Sequence, residues 1–147
     1  MDDWLILGLA AAFSYAISGL ATKVVMSKRY MGLEPTTAAF LVAAGVVICF
    51  LAFYLAYAGA KIPQVTPTAA AAGVAVGIFW AAGSILVYYG LLKGADVSKM
   101  APIYNMNTLL VVLGGILLLH ELPDKSQALK VVAGAILMIV GGLLVST

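Results

Sequence analysis

Three stretches of this chain gather uncharged polar side chains at helical spacing. Ser14, Ser18 and Thr22 recur every four residues, with Tyr15 beside them and Ala10 and Ala11 above. Gly73, Gly77, Trp80, Ala81, Ser84 and Tyr88 fall near one side of a second helix. At about 100° per residue, Ala101, Asn105, Thr108 and Val112 lie within about 60° of arc, Tyr104 flanks them, and Asn107 points about a quarter-turn further round. Such groups hydrogen-bond and stack; they do not break bonds unaided. Two readings are open. Either these faces line a cavity for a small polar solute, or small residues let backbones approach while Ser, Thr and Asn join helices through hydrogen bonds worth roughly 0.6–2 kcal/mol. Packing is the simpler reading of the glycines and alanines. Asn105 and Asn107 are different, because two primary amides within one turn of an apolar helix are costly unless they find partners or water. The candidate solute-binding set is therefore Ser14, Tyr15, Ser18, Trp80, Ser84, Tyr88, Tyr104, Asn105, Asn107 and Thr108.

Other chemistry is poorly provided for. There is no phosphate loop, no pair of acids, and no set of nucleophile, base and orienter, so an enzyme is not expected. His120 is the only histidine and Cys49 the only cysteine. A metal site, a disulfide framework and a bound cofactor are accordingly not expected, and Cys49 reads as a small packing hydrophobe. The formal charge of +2 is spread over short connections and makes no basic patch for nucleic acid.

The elements that must hold these residues are long apolar blocks. The chain has 147 residues, 64% hydrophobic and 10% charged, with mean hydropathy +1.11; a soluble domain carries about 25% charged residues. The blocks run over 4–26, 36–58, 68–92, 98–119 and 126–145, joined by connections of nine residues or fewer. About 20 apolar residues suffice to cross a bilayer core of about 30 Å. The chain thus reads as an all-α integral membrane protein, one domain over 1–147 with five transmembrane helices. Barrel strands would alternate polar and apolar, and these blocks do not. Pro35 and Pro67 each sit at or near a first helical position, where the missing N–H costs nothing. Asp124 and Ser126 are candidate caps for the last helix. Pro102 cannot donate to the carbonyl of Ser98, so the fourth helix starts late or kinks near Ala101, and a local break beside Asn105 would free carbonyls to face a cavity.

No block carries a mid-membrane carboxylate, which argues against proton-coupled antiport built on one. Lys23, Lys99 and Lys130 stand about one turn from a helix end, where long side chains snorkel. Lys23 is expected to anchor the first helix among lipid phosphates or, alternatively, to close the cavity on an anionic solute. Glu121 follows Leu119 and precedes Pro123, so it is expected at the membrane surface within reach of Lys125. Met1-Asp2-Asp3 lacks the positive start of a cleavable signal peptide, so the first block is expected to stay as a membrane helix. Lys61, Lys125 and Lys130 lie on the side of the N-terminus; Lys23, Lys28, Arg29, Lys93 and Lys99 lie on the other. That split favours an N-terminus outside and is small enough to permit insertion both ways. The expected location is a prokaryotic-type cytoplasmic (inner) membrane.

From Tyr88 onward the order of features is specific: Tyr88-Tyr89 at a helix end, a short loop with Ser98, Ala101-Pro102, a polar patch, Gly114, Glu121, and a last span with Gly134, Gly141 and Gly142. In this it resembles the EamA domain of the drug/metabolite transporter superfamily, and the first span, with its small residues and Lys23, looks like the opening helix of that domain. Two departures stand out: His120 occupies a position where glycine often precedes the glutamate, and Tyr15 stands where a Trp-Gly pair is common. The resemblance implies an EamA-like half-transporter. Members commonly carry two such units in inverted orientation around a central cavity and export or exchange small polar metabolites. It follows that a single unit is expected to work as a homodimer, antiparallel in preference to parallel, by alternating access. The related four-helix exporters use a glutamate embedded in their first helix, which this chain lacks. A non-transporting membrane scaffold or assembly subunit and a channel-like facilitator are the competing readings.

Overall fold

A computed structural model describes residues 3–59, 61, 64–121 and 124–146. Its helices are α1 (Asp3–Met26), α2 (Pro35–Ala58), α3 (Pro67–Leu92), α4 (Val97–Tyr104), α5 (Asn107–Leu117) and α6 (Lys125–Ser146). Five segments are long and apolar enough to span a membrane, α4 and α5 forming one of them as Val97–Leu117. The all-helical, five-span membrane architecture expected from hydropathy is the one observed, with most boundaries within a residue.

Helix starts follow the residue chemistry. Pro35 and Pro67 open α2 and α3. The Thr66 hydroxyl accepts from the amide of Ala69 at 3.3 Å, satisfying one orphan donor of the first turn of α3. Asp124 caps α6: its carboxylate accepts from the Ser126 amide at 3.0 Å and its carbonyl from Ala128 at 3.0 Å. Ser126, the other candidate cap, lies inside the helix. Gly59 ends α2 with φ 61°, a left-handed geometry that glycine adopts without penalty. Pro123, which follows Glu121, and the side chain of Lys125 lie outside what is described.

The fourth span departs from expectation. The helix runs through Pro102 and is interrupted one turn later, at Asn105 and Met106, not near Ala101, and it ends at Leu117, not at 119. Proline removes the donor to Ser98, the second residue of α4, where a carbonyl near a helix start can turn aside. The turn after it tightens instead: Met106 donates to Ile103, Thr108 to Asn105 and Leu109 to Met106, each spanning three residues, not four.

The helices α1–α3 form one compact unit and α4–α6 another. In the first, α1, α2 and α3 all touch one another, and burial is concentrated where the end of α1, the start of α2 and the end of α3 meet: Met26, Pro35, Ala38, Tyr88 and Leu91 are buried, Ala38 to 1% exposure. In the second, α6 packs along both α4 and α5. Gly142 meets Pro102 so closely that a Cβ there would stand 3.2 Å from the Pro102 carbonyl oxygen. Glycine is what allows the two backbones to approach.

Candidate functional site

In the first unit the polar face of α1 is exposed, Tyr15 to 70%, with Ser14 and Ser18 open as well. The Ser14 hydroxyl donates to the Ala10 carbonyl at 3.0 Å, and Thr22 donates to Ser18 at 2.8 Å. On α3, Trp80 is 51% exposed, Ser84 is half-buried and donates to the Trp80 carbonyl at 3.0 Å, and Tyr88 is buried. Hydroxyls bonded one turn back along their own helix keep their oxygen lone pairs available as acceptors, while their protons are engaged. In place of interhelical glue, these hydroxyls are satisfied locally.

Close packing, the simpler reading of the glycines, holds at Gly142 and not at most of the others. Gly8, Gly45, Gly73, Gly77 and Gly83 in the first unit have open space where a Cβ would go, as do Gly114, Gly134 and Gly141 in the second. Hydrocarbon gives two helices no hydrophobic reason to close on each other, so a small residue permits approach without compelling it. Cys49 likewise stands exposed on α2 and is not packed as a small hydrophobe.

The second unit holds the polar residues of the fourth span. Asn105 and Asn107 flank the interruption and are exposed, Tyr104 is 36% exposed, and Thr108 is half-buried. The Thr108 hydroxyl donates to the Asn105 carbonyl at 2.8 Å and its amide to the same oxygen at 3.1 Å, so one carbonyl holds the tight turn from both sides. Residues 105–107 fall at the centre of the span Val97–Leu117, the level of greatest cost for a polar group. A break beside Asn105 is therefore present. Tyr104, Asn105, Asn107 and Thr108 are brought together by one turn of chain; Tyr15, Trp80, Ser84 and Tyr88 belong to the other unit.

The two charged candidates stand at helix ends. Lys23 is half-buried in the last turn of α1. Glu121 is exposed, yet it does not extend away from the helix. Its amide donates to Gly115 at 3.1 Å, and its carboxylate lies over that glycine, so close that a Cβ on Gly115 would be 2.6 Å from Oε2. His120 makes this return possible with φ 54°, a left-handed conformation rare outside glycine. That is a physical reason for glycine to be common there.

Three features were not anticipated from residue types. A half-open cleft of about 300 Å³ lies between α2 and α3, lined by Pro35, Thr36, Ala39, Ile85, Tyr88 and Tyr89. Tyr54 on α2 buries its hydroxyl with no hydrogen-bond partner among the described residues. The Gly142 contact with Pro102 is the third. Of these only the Tyr-rich end of α3 had a visible signal; the others depend on which helices become neighbours.

Five spans long and apolar enough to cross a membrane, one of them interrupted at polar residues, make this an integral membrane protein. Consistent with this, the model of the EamA-like transporter family matches residues 3–147, and the chain belongs to that family. No curated protein and no solved structure matched it. The family is one of drug/metabolite-type membrane transporters and points away from an enzyme.

Proposed function

We propose that this protein is a secondary transporter that exports or exchanges a small polar metabolite or drug-like solute by alternating access, as a homodimer. The observation that carries the reading is the interrupted fourth span. Two primary amides and a hydroxyl cluster there at mid-membrane, in a segment with no charge between Lys99 and Leu117. A polar solute entering hydrocarbon must replace the hydrogen bonds it leaves in water, and Asn105 and Asn107 offer both donors and acceptors for that purpose. Interrupted membrane helices recur at transporter binding sites because irregular backbone is tolerated where it lines a cavity. Ser14, Tyr15, Ser18, Trp80, Ser84 and Tyr88 complete the proposed solute-facing set, with Lys23 and Glu121 acting at the membrane surfaces.

Uptake into proteoliposomes across a metabolite panel tests this. Asn105→Leu combined with Asn107→Leu is expected to lower transport at least tenfold while insertion and monodispersity persist. Unchanged transport in that double variant would remove the fourth span from the site.

The homodimer is proposed as antiparallel in the cytoplasmic membrane. One five-helix unit supplies half of a two-unit plan, and a separate copy reproduces an inverted repeat only by inserting upside down. Single cysteines at Ser27 and Ser146, in a Cys49→Ala background, are labelled from one side of intact cells. Half-labelling of each supports the antiparallel pair; since five spans put both positions on one face, complete labelling of both, or of neither, eliminates it. A second reading, a non-transporting scaffold, is favoured by one observation: the hydroxyl protons of Ser14, Thr22, Ser84 and Thr108 are already engaged by carbonyls three or four residues back along the chain and are not offered to a solute. No uptake of any panel member by a folded dimer would leave that reading in place.

A further inference from the structure

The cleft between α2 and α3 differs in kind from the polar faces described above. Its lining is mainly apolar and aromatic: among Pro35, Thr36, Ala39, Ile85, Tyr88 and Tyr89 there is no charge and no amide side chain, the polar groups being the hydroxyls of Thr36 and the two tyrosines, and Tyr88 is the one residue shared with the polar set. It also lies where the spans end, since α2 begins at Pro35 and α3 finishes at Leu92. A polar solute would find hydroxyls but no charge or amide side chain there; an acyl chain would find a half-enclosed, largely aromatic and aliphatic slot.

The same end of these helices is cationic. Lys23 is in the last turn of α1, Lys28 and Arg29 are in the connection to α2, and Lys93 caps α3, against Glu34 before α2 and Asp96 three residues after Lys93. The connection is wound back on the helix end: Tyr30 and Gly32 donate to Ser27, Met31 to Val24 and Leu33 to Val25. The Arg29 guanidinium sits 5.8 Å over the Tyr30 ring. These cations are therefore held at the same end of the unit as the cleft. Basic pockets between membrane helices at the headgroup level are suited to anionic lipid headgroups.

We propose that this cleft binds one anionic phospholipid, with an acyl chain between α2 and α3 and the phosphate held by the Lys28, Arg29 and Lys93 rim. The inference does not rest on the transport reading, because its test measures lipid retained and not solute moved.

The test uses the full-length protein, delipidated in detergent and titrated with phosphatidylglycerol or phosphatidylcholine under native mass spectrometry. One phosphatidylglycerol is expected to persist at collision energies that strip phosphatidylcholine. Removing a headgroup cation weakens an anionic lipid by about fivefold, so Lys28→Gln, Arg29→Gln and Lys93→Gln together should weaken binding by roughly a hundredfold. Ala39→Phe fills the slot while leaving every cation in place, and is expected to abolish the persistent adduct. Equal retention of the two lipids overturns the proposal. So does an Ala39→Phe variant that keeps the adduct, since attraction to the basic end alone would then explain it. Should Ala39→Phe lose monodispersity, Thr36→Leu, on the exposed first turn of α2, is read in its place with the same two outcomes.

Discussion

The two units solve the problem of packing helices in hydrocarbon differently. In α1–α3 the helices are continuous, contact is gathered at one end, and Gly8, Gly45, Gly73, Gly77 and Gly83 face open space. In α4–α6 a helix is interrupted, and the neighbouring α6 reaches it through a glycine that touches backbone. Lipid offers no hydrophobic drive for helices to close, so intimate contact forms where shape and hydrogen bonding favour it. A proline carbonyl opposite a residue with no side chain provides such a shape. Continuous helices with glycines on open faces do not. A glycine in a membrane span is thus read correctly only once its neighbour is known.

The contrast is broken most sharply by adding bulk to one glycine from each unit. Gly142→Leu forces side-chain atoms into the Pro102 carbonyl and is expected to destabilise the fold by about 2 kcal/mol, the usual range for overpacking. Gly77→Leu enters open space and is expected to change stability little. Thermal denaturation of the two variants in the same detergent makes the comparison; equal effects would mean that the second unit is no more tightly packed than the first.

A smaller effect of opposite sign is expected at His120. A left-handed residue with a side chain costs about 1–2 kcal/mol, and the greater chain entropy of glycine offsets part of the relief. His120→Gly should therefore raise stability by about 0.5–1 kcal/mol, read as a modest rise in melting temperature. A fall would indicate that the imidazole contributes more than its backbone costs. The smallest effect is expected at Gly115→Ala. The atom in its way is the end of a flexible carboxylate, which can swing aside, so the loss should be a few tenths of a kcal/mol at most and should vanish in a Glu121→Ala background. Persistence of the loss there would place the strain in the helix and not in the carboxylate.

Much of the fold was legible because its signals are local. Apolar block length set the spans, and Pro35, Pro67 and Asp124 announced helix starts through a missing donor or a capping oxygen. Pro102 signalled a discontinuity but not its position. The missing donor affects a carbonyl near the start of α4, whereas the tight turn depends on how Asn105 and Thr108 share hydrogen bonds downstream. The candidate site was legible only in part. Residue type identified Asn105, Asn107 and Thr108 as unusual for their depth. It could not distinguish Gly142, which touches Pro102, from Gly141, which touches nothing, because the difference lies in a neighbour distant in sequence. Nor could it show that the serine and threonine protons are already engaged along their own helices.

The three-residue hydrogen bonds around Asn105 and Met106 change the angular phase of the fourth span. A tight turn advances about 120° per residue against about 100° in a regular helix, so two such residues rotate everything beyond them by about 40°. Applied to a helical wheel, this moves Thr108 past Ala101 to a place between Ala101 and Asn105, and Val112 from between them to beyond Asn105. Ala101, Asn105, Thr108 and Val112 still occupy about 60° of arc, because Thr108 leaves one flank of the stripe as Val112 arrives at the other. The stripe is thus insensitive to whether these two residues are wound tightly or regularly. Asn107 is not: the same rotation brings it from about 100° away from the nearest edge of that arc to about 80°. A polar face that keeps its heading through a change of winding, with one amide that shifts against it, is a geometric property of this span that its composition alone would not reveal.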